Sequence, residues 1–126
     1  MLSILTVDDE IVICEMITEF LTKKGYKVRR CCSGEEALKL IDDERPDLVI
    51  LDLIMPGLGG EATLKKIKEL YHNLPVIILT TLNSGKKAME LLNQGASDYF
   101  TKPVDLYFLE KNLSIWESIH DQNKNF

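Results

Sequence analysis

The sequence contains little cysteine, little basic charge and no long apolar run, and each shortage excludes a class of protein. The three cysteines, Cys14, Cys31 and Cys32, form no Cys-x-x-Cys pair, which disfavours a disulfide framework or a zinc site and predicts reduced thiols. The net charge is -5 and basic residues never adjoin in blocks longer than two, so the chain by itself is not expected to bind nucleic acid.

The chain also lacks the signals of export or membrane insertion. No apolar run approaches the roughly 20 residues of a membrane span, and the start MLSILTVDDE is not typical of a signal peptide. We therefore expect a cytoplasmic protein that contacts no membrane. What is present is an ordinary globular composition, with 126 residues, 45% of them hydrophobic and 28% charged. Residues 1–120 are expected to form one domain and residues 121–126 a polar, frayed tail.

Strand-like and helix-like patterns alternate along the chain. Apolar or alternating runs predict strands near residues 2–7, 26–32, 47–51, 75–80 and 97–101. Helical spacing of apolar residues predicts helices near 10–24, 33–45, 61–71, 84–94 and 104–120. Such regular alternation with short links predicts an α/β fold of the (βα)5 type, a doubly wound five-stranded parallel sheet with helices on both faces. The apolar third and fourth strands are expected at its centre.

Polar side chains follow four of the predicted strands. The acids of Asp8–Glu10 follow the first strand, Asp52 the third, Thr80 closes the fourth, and Lys102 follows the fifth. Because the carboxyl ends of parallel strands meet at one edge of a sheet, we expect these groups to converge there. Taken singly, an aspartate at a strand end is more often a turn or helix-capping residue, and a lysine before a proline is more often solvated.

Clustered carboxylates repel one another unless a cation lies among them. All the candidate ligands are hard oxygens, which predicts Mg²⁺, or else Mn²⁺. Lys102 and the Thr80 hydroxyl could each contact an oxygen of a phosphoryl group on Asp52. Asp52 is therefore predicted to be a nucleophile toward phosphorus.

Four segments carry a resemblance to a known family: VDDE at 7–10, LDLIMPG at 51–57, PVIILTT at 75–81 and GASDYFTKP at 95–103. The chain resembles the receiver domain of bacterial two-component response regulators, including the stand-alone chemotaxis regulator, over about residues 2–120. The resemblance implies a flavodoxin-like receiver fold with strand order 2-1-3-4-5. It also implies that Asp52 is the phosphoacceptor of a phosphorelay and that the chain has no separate small-molecule turnover.

The resemblance extends to individual site residues. Asp9 and Asp52 match the family's direct Mg²⁺ ligands, Asp8 matches the acid that reaches the metal through water, and Ile54 would offer its backbone carbonyl. Two further groups match residues that respond to phosphorylation, namely the switch hydroxyl, Thr80, and the site lysine, Lys102.

The resemblance also implies a conformational switch and its partners. Tyr99 matches the family's switch aromatic, and the Lys102–Pro103 peptide bond is a candidate for the cis form. The implied partners are a sensor histidine kinase or phosphotransfer protein, and a homodimer mate or effector that binds through the fourth and fifth helices. The fifth helix has two apolar stripes, one of Val104, Phe108, Ile115 and Ile119 and one of Leu106, Leu109, Leu113 and Trp116.

One departure from the family's usual pattern and one feature of the residues beside the site lead to further expectations. Gly59 and Gly60 stand where an acid and a glycine are common, and we expect them to loosen the loop before the third helix. Ile54 and Leu82 flank the site with aliphatic side chains, which predicts a long-lived phosphorylated state.

Three other function classes remain open on the sequence alone. An aspartyl-nucleophile phosphatase would need a second acid where Ile54 stands, and a flavodoxin-like cofactor protein would need a phosphate loop where the first acids stand. The third is a degenerate receiver that binds protein partners without phosphate.

Overall fold

The computed structural model describes residues 2–124, in which five strands and five helices alternate along the chain. The predicted alternation is confirmed. The elements are β1 (Ser3–Val7), α1 (Ile11–Lys23), β2 (Lys27–Cys31), α2 (Gly34–Asp43), β3 (Leu48–Leu51), α3 (Gly60–Leu70), β4 (Val76–Thr80), α4 (Gly85–Asn93), β5 (Asp98–Thr101) and α5 (Leu106–Lys124).

The five strands form one parallel sheet in the order β2-β1-β3-β4-β5, which confirms the predicted fold and places β3 at the centre. Val7 of β1 is in register with Leu51 of β3, and Thr80 of β4 with Thr101 of β5. The residues that follow these positions therefore emerge at the same edge of the sheet.

The core has two halves, one on each face of the sheet. Alternate residues of β3 point to opposite faces, and all four are buried, which explains the uninterrupted apolar run in this strand. One half contains buried residues of α2, α3 and α4, among them Ala37, Ile41, Leu64, Ile67 and Leu91. The other half contains buried residues of α1 and α5, among them Ile17, Leu21, Leu109 and Leu113.

The two apolar stripes of α5 have different surroundings. Leu109 and Leu113 are fully buried, with Leu106 and Trp116 packed against the same core. Three residues of the other stripe are exposed, namely Phe108, Ile115 and Ile119.

The predicted end of the last helix near residue 120 is wrong, because α5 continues to Lys124. No glycine or proline follows His120, so the sequence has no residue that ends the helix there. Residues 125–126 lie outside the described part of the chain. Between residues 2 and 124, no helix is both long enough and apolar enough to cross a bilayer.

Candidate phosphoacceptor site

Backbone hydrogen bonds extend one residue beyond the strands and fix the positions of the polar residues that follow. The Asp8 N–H donates to the Cys31 carbonyl at 3.1 Å, and the Asp52 N–H donates to the Val7 carbonyl at 3.0 Å. The Lys102 N–H donates to the Thr80 carbonyl at 2.7 Å. The strand-end residues are thus held by the sheet itself, and they meet at one edge as predicted.

Three carboxylates surround the ammonium group of Lys102. Its Nζ lies 2.7 Å from Asp8 Oδ2, 2.7 Å from Glu10 Oε1 and 3.3 Å from Asp52 Oδ2. The side chains of Lys102, Asp8 and Asp52 are at most 4% exposed, whereas that of Glu10 is 49% exposed. Buried charges need partners of opposite sign, and here each buried charge has one.

Burial and ion pairing have opposite effects on the ionisable groups of the site. Burial raises the pKa of the Asp8 carboxyl above its usual value, and the contact with Lys102 offsets part of this increase. Burial alone would lower the pKa of the Lys102 ammonium, but the contacts with Asp8, Glu10 and Asp52 outweigh it and raise the pKa. Lys102 therefore remains charged at neutral pH.

The site fits the oxygen ligands that Mg²⁺ prefers. Carboxylate oxygens of Asp8, Glu10 and Asp52 all lie within 4.8 Å of one another, and carboxylates are suitable ligands for Mg²⁺ or Mn²⁺. The predicted ligand Asp9 is exposed and is not part of this group. Glu10, which was expected at this edge of the sheet but not predicted to be a ligand, is part of it.

Asp52 is held at both of its carboxylate oxygens. Oδ1 accepts a hydrogen bond from the Ile54 N–H at 3.2 Å, and Oδ2 accepts one from Lys102 at 3.3 Å. The Ile54 side chain is exposed at the rim of the site, and so is that of Leu82. Their backbone N–H groups contact Asp52 and Thr80 respectively, so both residues are close to the site.

The backbone of Leu82 connects the two predicted switch residues. Its N–H donates to the hydroxyl oxygen of the buried Thr80 at 3.3 Å, and its carbonyl accepts a hydrogen bond from the Tyr99 hydroxyl at 2.5 Å. Thr80 and Tyr99 therefore contact the same residue of the loop between β4 and α4. The Lys102–Pro103 peptide bond is cis, as the resemblance implied.

The glycines before α3 occupy positions that other residues would not fit, and their effect on the mobility of the loop stays a prediction. Gly59 has a φ of 77°, which favours glycine. A Cβ on Gly60 would lie 2.1 Å from the Asp52 carbonyl oxygen and 2.4 Å from Leu53 Cα. The Gly60 N–H also donates to the Leu53 carbonyl at 3.0 Å. The first turn of α3 is therefore docked directly on the strand end that carries Asp52.

Residues 4–114 match the sequence model of the response regulator receiver domain, and the chain belongs to this family. Two-component phosphorelay signalling is the function of this class of protein. The chain is 40% identical to the transcriptional regulatory protein ZraR of Escherichia coli (strain K12) over 112 residues, 89% of this chain and 25% of that protein. It is 38% identical to sporulation initiation phosphotransferase F of Bacillus subtilis (strain 168) over 103 residues, 82% of this chain and 83% of that protein.

Solved structures agree with this assignment. The receiver domain of the Francisella response regulator 1452 superposes with a TM-score of 0.90 at 32% identity, covering 95% of this chain and 99% of that one. A CheY-like receiver domain protein from Methanospirillum hungatei JF-1 gives a TM-score of 0.88 at 28% identity, covering 100% of this chain and 99% of that one. The chain spans about a quarter of the length of ZraR. Family membership favours a receiver over a phosphatase or a flavodoxin-like cofactor protein.

Proposed function

We propose that Asp52 accepts a phosphoryl group from a phosphohistidine of a sensor histidine kinase or a phosphotransfer protein, in a step that needs Mg²⁺. A carboxylate oxygen of Asp52 forms a bond to phosphorus, the phosphorus–nitrogen bond breaks, and its electron pair returns to the imidazole. The observation that carries this proposal is the buried Asp52 carboxylate whose two oxygens are held by Ile54 N–H and Lys102.

The residues around Asp52 have separate roles in this proposal. Mg²⁺ bound by Asp8, Asp9, Asp52 and the Ile54 carbonyl would neutralise charge on the phosphoryl oxygens. The Lys102 ammonium, already in contact with Asp52, would bind another phosphoryl oxygen. The chain acts on its own side chain in this chemistry, and we propose that it does so in the cytoplasm and turns over no separate small molecule.

Phosphorylation is proposed to change the hydrogen bonds of Leu82. Thr80 would turn its hydroxyl to donate to the phosphoryl group, and it would then give up its contact with the Leu82 N–H. Tyr99 is bonded to the carbonyl of the same residue, so the loop and the surface formed by α4, β5 and α5 would respond together. This is a shift in population between two states of one fold.

The same surface is the proposed site for a homodimer mate or an effector. It has exposed apolar side chains on both helices, namely Met89 and Leu92 on α4 and Phe108 and Ile115 on α5. Sedimentation with and without beryllofluoride, an analogue of the phosphoryl group, tests the homodimer. A monomer under both conditions rules the homodimer out and leaves the effector.

A long-lived phosphorylated state is the proposed consequence of Ile54 and Leu82. Their side chains offer an attacking water no hydrogen-bond partner and cover part of the site. The half-life of the phosphorylated protein should shorten in an Ile54→Asn, Leu82→Glu double variant. Leu70→Glu, which changes a more exposed leucine on α3, is the control and should keep the original half-life.

Intact-mass measurement after incubation with acetyl phosphate tests the proposed function. The wild type should gain one phosphoryl mass only when Mg²⁺ is present, and Asp52→Asn should gain none. Asp9 and Asp8 are unsuitable controls because they are proposed ligands, so the surface variant Asp42→Asn is used and should behave as the wild type. A folded wild type that forms no adduct would favour the degenerate receiver.

A further inference from the structure

Glu10 belongs to the site, but the proposed phosphoryl transfer gives it no role. Its Oε1 lies as close to Lys102 Nζ as Asp8 Oδ2 does, at 2.7 Å in each case. The Glu10 side chain is 49% exposed, whereas Lys102 and Asp8 are nearly inaccessible. Glu10 therefore covers the ammonium on its solvent side.

The ammonium of Lys102 already has three carboxylate neighbours. An ammonium group has three N–H donors. Three carboxylates already contact this one, those of Asp8, Glu10 and Asp52. A phosphoryl oxygen on Asp52 therefore competes with these carboxylates for Lys102.

Phosphorylation removes the charge of the Asp52 carboxylate itself, and of the two carboxylates that stay charged, Asp8 and Glu10, Glu10 can be released more easily. Asp8 Oδ1 accepts a hydrogen bond from the Glu10 N–H at 2.9 Å, and Asp52 Oδ1 accepts one from the Ile54 N–H at 3.2 Å. Within residues 2–124, the Glu10 carboxylate accepts a hydrogen bond only from Lys102. Its exposed side chain can turn into water, where its charge is solvated, whereas the two buried aspartates have no such route.

We propose that Glu10 is a positioning residue that holds Lys102 in the unphosphorylated protein and releases it when Asp52 is phosphorylated. Glu10 competes with the phosphoryl group for Lys102, and so lowers the affinity of the site for that group. This role rests on the proposed function of Asp52. A residue that only supported the local structure would have the opposite effect, because its removal would weaken binding.

Titration with beryllofluoride at saturating Mg²⁺, followed by fluorine NMR, tests the proposal. Saturating metal removes any contribution of Glu10 to metal affinity. Glu10→Gln should bind the analogue about threefold to tenfold more tightly than the wild type, because one ion pair with Lys102 no longer has to be broken. Glu15→Gln makes the same charge change on α1, where Glu15 pairs with Arg30 on the surface, and should leave the affinity unchanged.

Glu10→Asp separates the contact from the charge. The shorter side chain keeps the negative charge but cannot reach Lys102 in the same way, so it too should bind the analogue more tightly. Unchanged or weaker binding of beryllofluoride by Glu10→Gln would overturn the proposal. Tighter binding by Glu10→Gln but not by Glu10→Asp would overturn it too. A wild type that binds no beryllofluoride with Mg²⁺ would overturn the proposed function as well, so the two failures are distinguishable.

Discussion

Two lysines of this molecule are each bonded to carboxylates from other parts of the chain, yet their surroundings differ. Lys87 Nζ lies 3.0 Å from Glu90 and 3.3 Å from Glu61, so it joins α4 to α3, and these three side chains are 31–47% exposed. Lys102 makes contacts of similar length with side chains that are at most 4% exposed, apart from Glu10. Burial acts to lower the pKa of the Lys102 ammonium, but its contacts with Asp8, Glu10 and Asp52 outweigh burial and raise the pKa. Contacts with Glu90 and Glu61 raise the pKa of the Lys87 ammonium, where burial has only a small opposing effect.

The difference shows that burial, rather than contact distance, decides what an ion pair does. Water screens the charges around Lys87, so any one of them can lose its partner at little cost. The charges around Lys102 cannot be solvated, and the loss of one partner leaves the others uncompensated. The buried group can therefore bind a cation or respond to a new anion, while the exposed group only links two helices.

The largest difference between the two groups is expected in the free energy of unfolding when each lysine is removed in a separate variant. Lys102→Met should lower the free energy of unfolding by about 3 kcal/mol without metal, because Asp8 and Asp52 stay buried with no cation between them. Mg²⁺ should restore much of this loss, since a bound divalent cation replaces the missing charge. Urea unfolding of both proteins with and without Mg²⁺ measures the effect.

Lys87→Met is the matched control, because it removes the same charge from a group that is open to water. Its unfolding midpoint should change little, and Mg²⁺ should affect it as it affects the wild type. An equal decrease in the free energy of unfolding of Lys87→Met and Lys102→Met would show that burial does not distinguish the two groups.

A smaller effect is expected in the pH dependence of stability, which tests the burial of Asp8 beside Lys102. The pKa of Asp8 is raised above 3.8, chiefly by burial, so the folded protein holds this proton more tightly than the unfolded chain does. The contribution of Asp8 to stability is therefore most favourable at low pH, and it falls as the pH rises from the unfolded pKa through the folded one.

We expect metal-free Asp8→Asn to gain stability relative to the wild type as the pH rises above about 4, because the variant has no such charge to bury. Thermal unfolding across this range measures the gain. Asp9→Asn alters the exposed neighbouring acid and should show no comparable trend. A wild type that becomes more stable than Asp8→Asn as the pH rises would contradict the expected sign.

The response to salt should give the smallest effect. Added salt screens exposed pairs, so the stability difference between Lys87→Met and the wild type should shrink as the ionic strength rises. The difference between Lys102→Met and the wild type should persist, because buried charges are screened much less. Thermal unfolding of the wild type and both variants at low and high salt measures these differences. If the stability difference between Lys102→Met and the wild type vanished at high salt, the contrast between the buried and the exposed group would be refuted.

The sequence was sufficient for the fold and for most of the site because both depend on regular patterns. The apolar run of β3 indicated a central strand, and the position of Asp52 directly after it indicated the edge of the sheet. Lys102 could be placed for the same reason. The end of α5 was wrong because it depends on the absence of a terminating residue, which is a weak signal.

The features that were missed depend on contacts between distant residues. Glu10 and Lys102 are 92 positions apart, and their contact exists only because β1 and β5 end at the same edge of one sheet. Gly60 looked like a source of flexibility, because nothing in its neighbours along the chain reveals how closely the Asp52 carbonyl approaches it. Such close approaches are properties of the packed molecule.

The docking of Gly60 also bears on the proposed switch. The start of α3 lies against the backbone of Asp52 and Leu53, with no room for a side chain between them. Leu82, in the loop between β4 and α4, is held instead by two hydrogen bonds, one from its N–H to Thr80 and one to its carbonyl from Tyr99. Close packing resists displacement, whereas a hydrogen bond can be exchanged for another. The proposed switch is therefore assigned to this loop rather than to the start of α3.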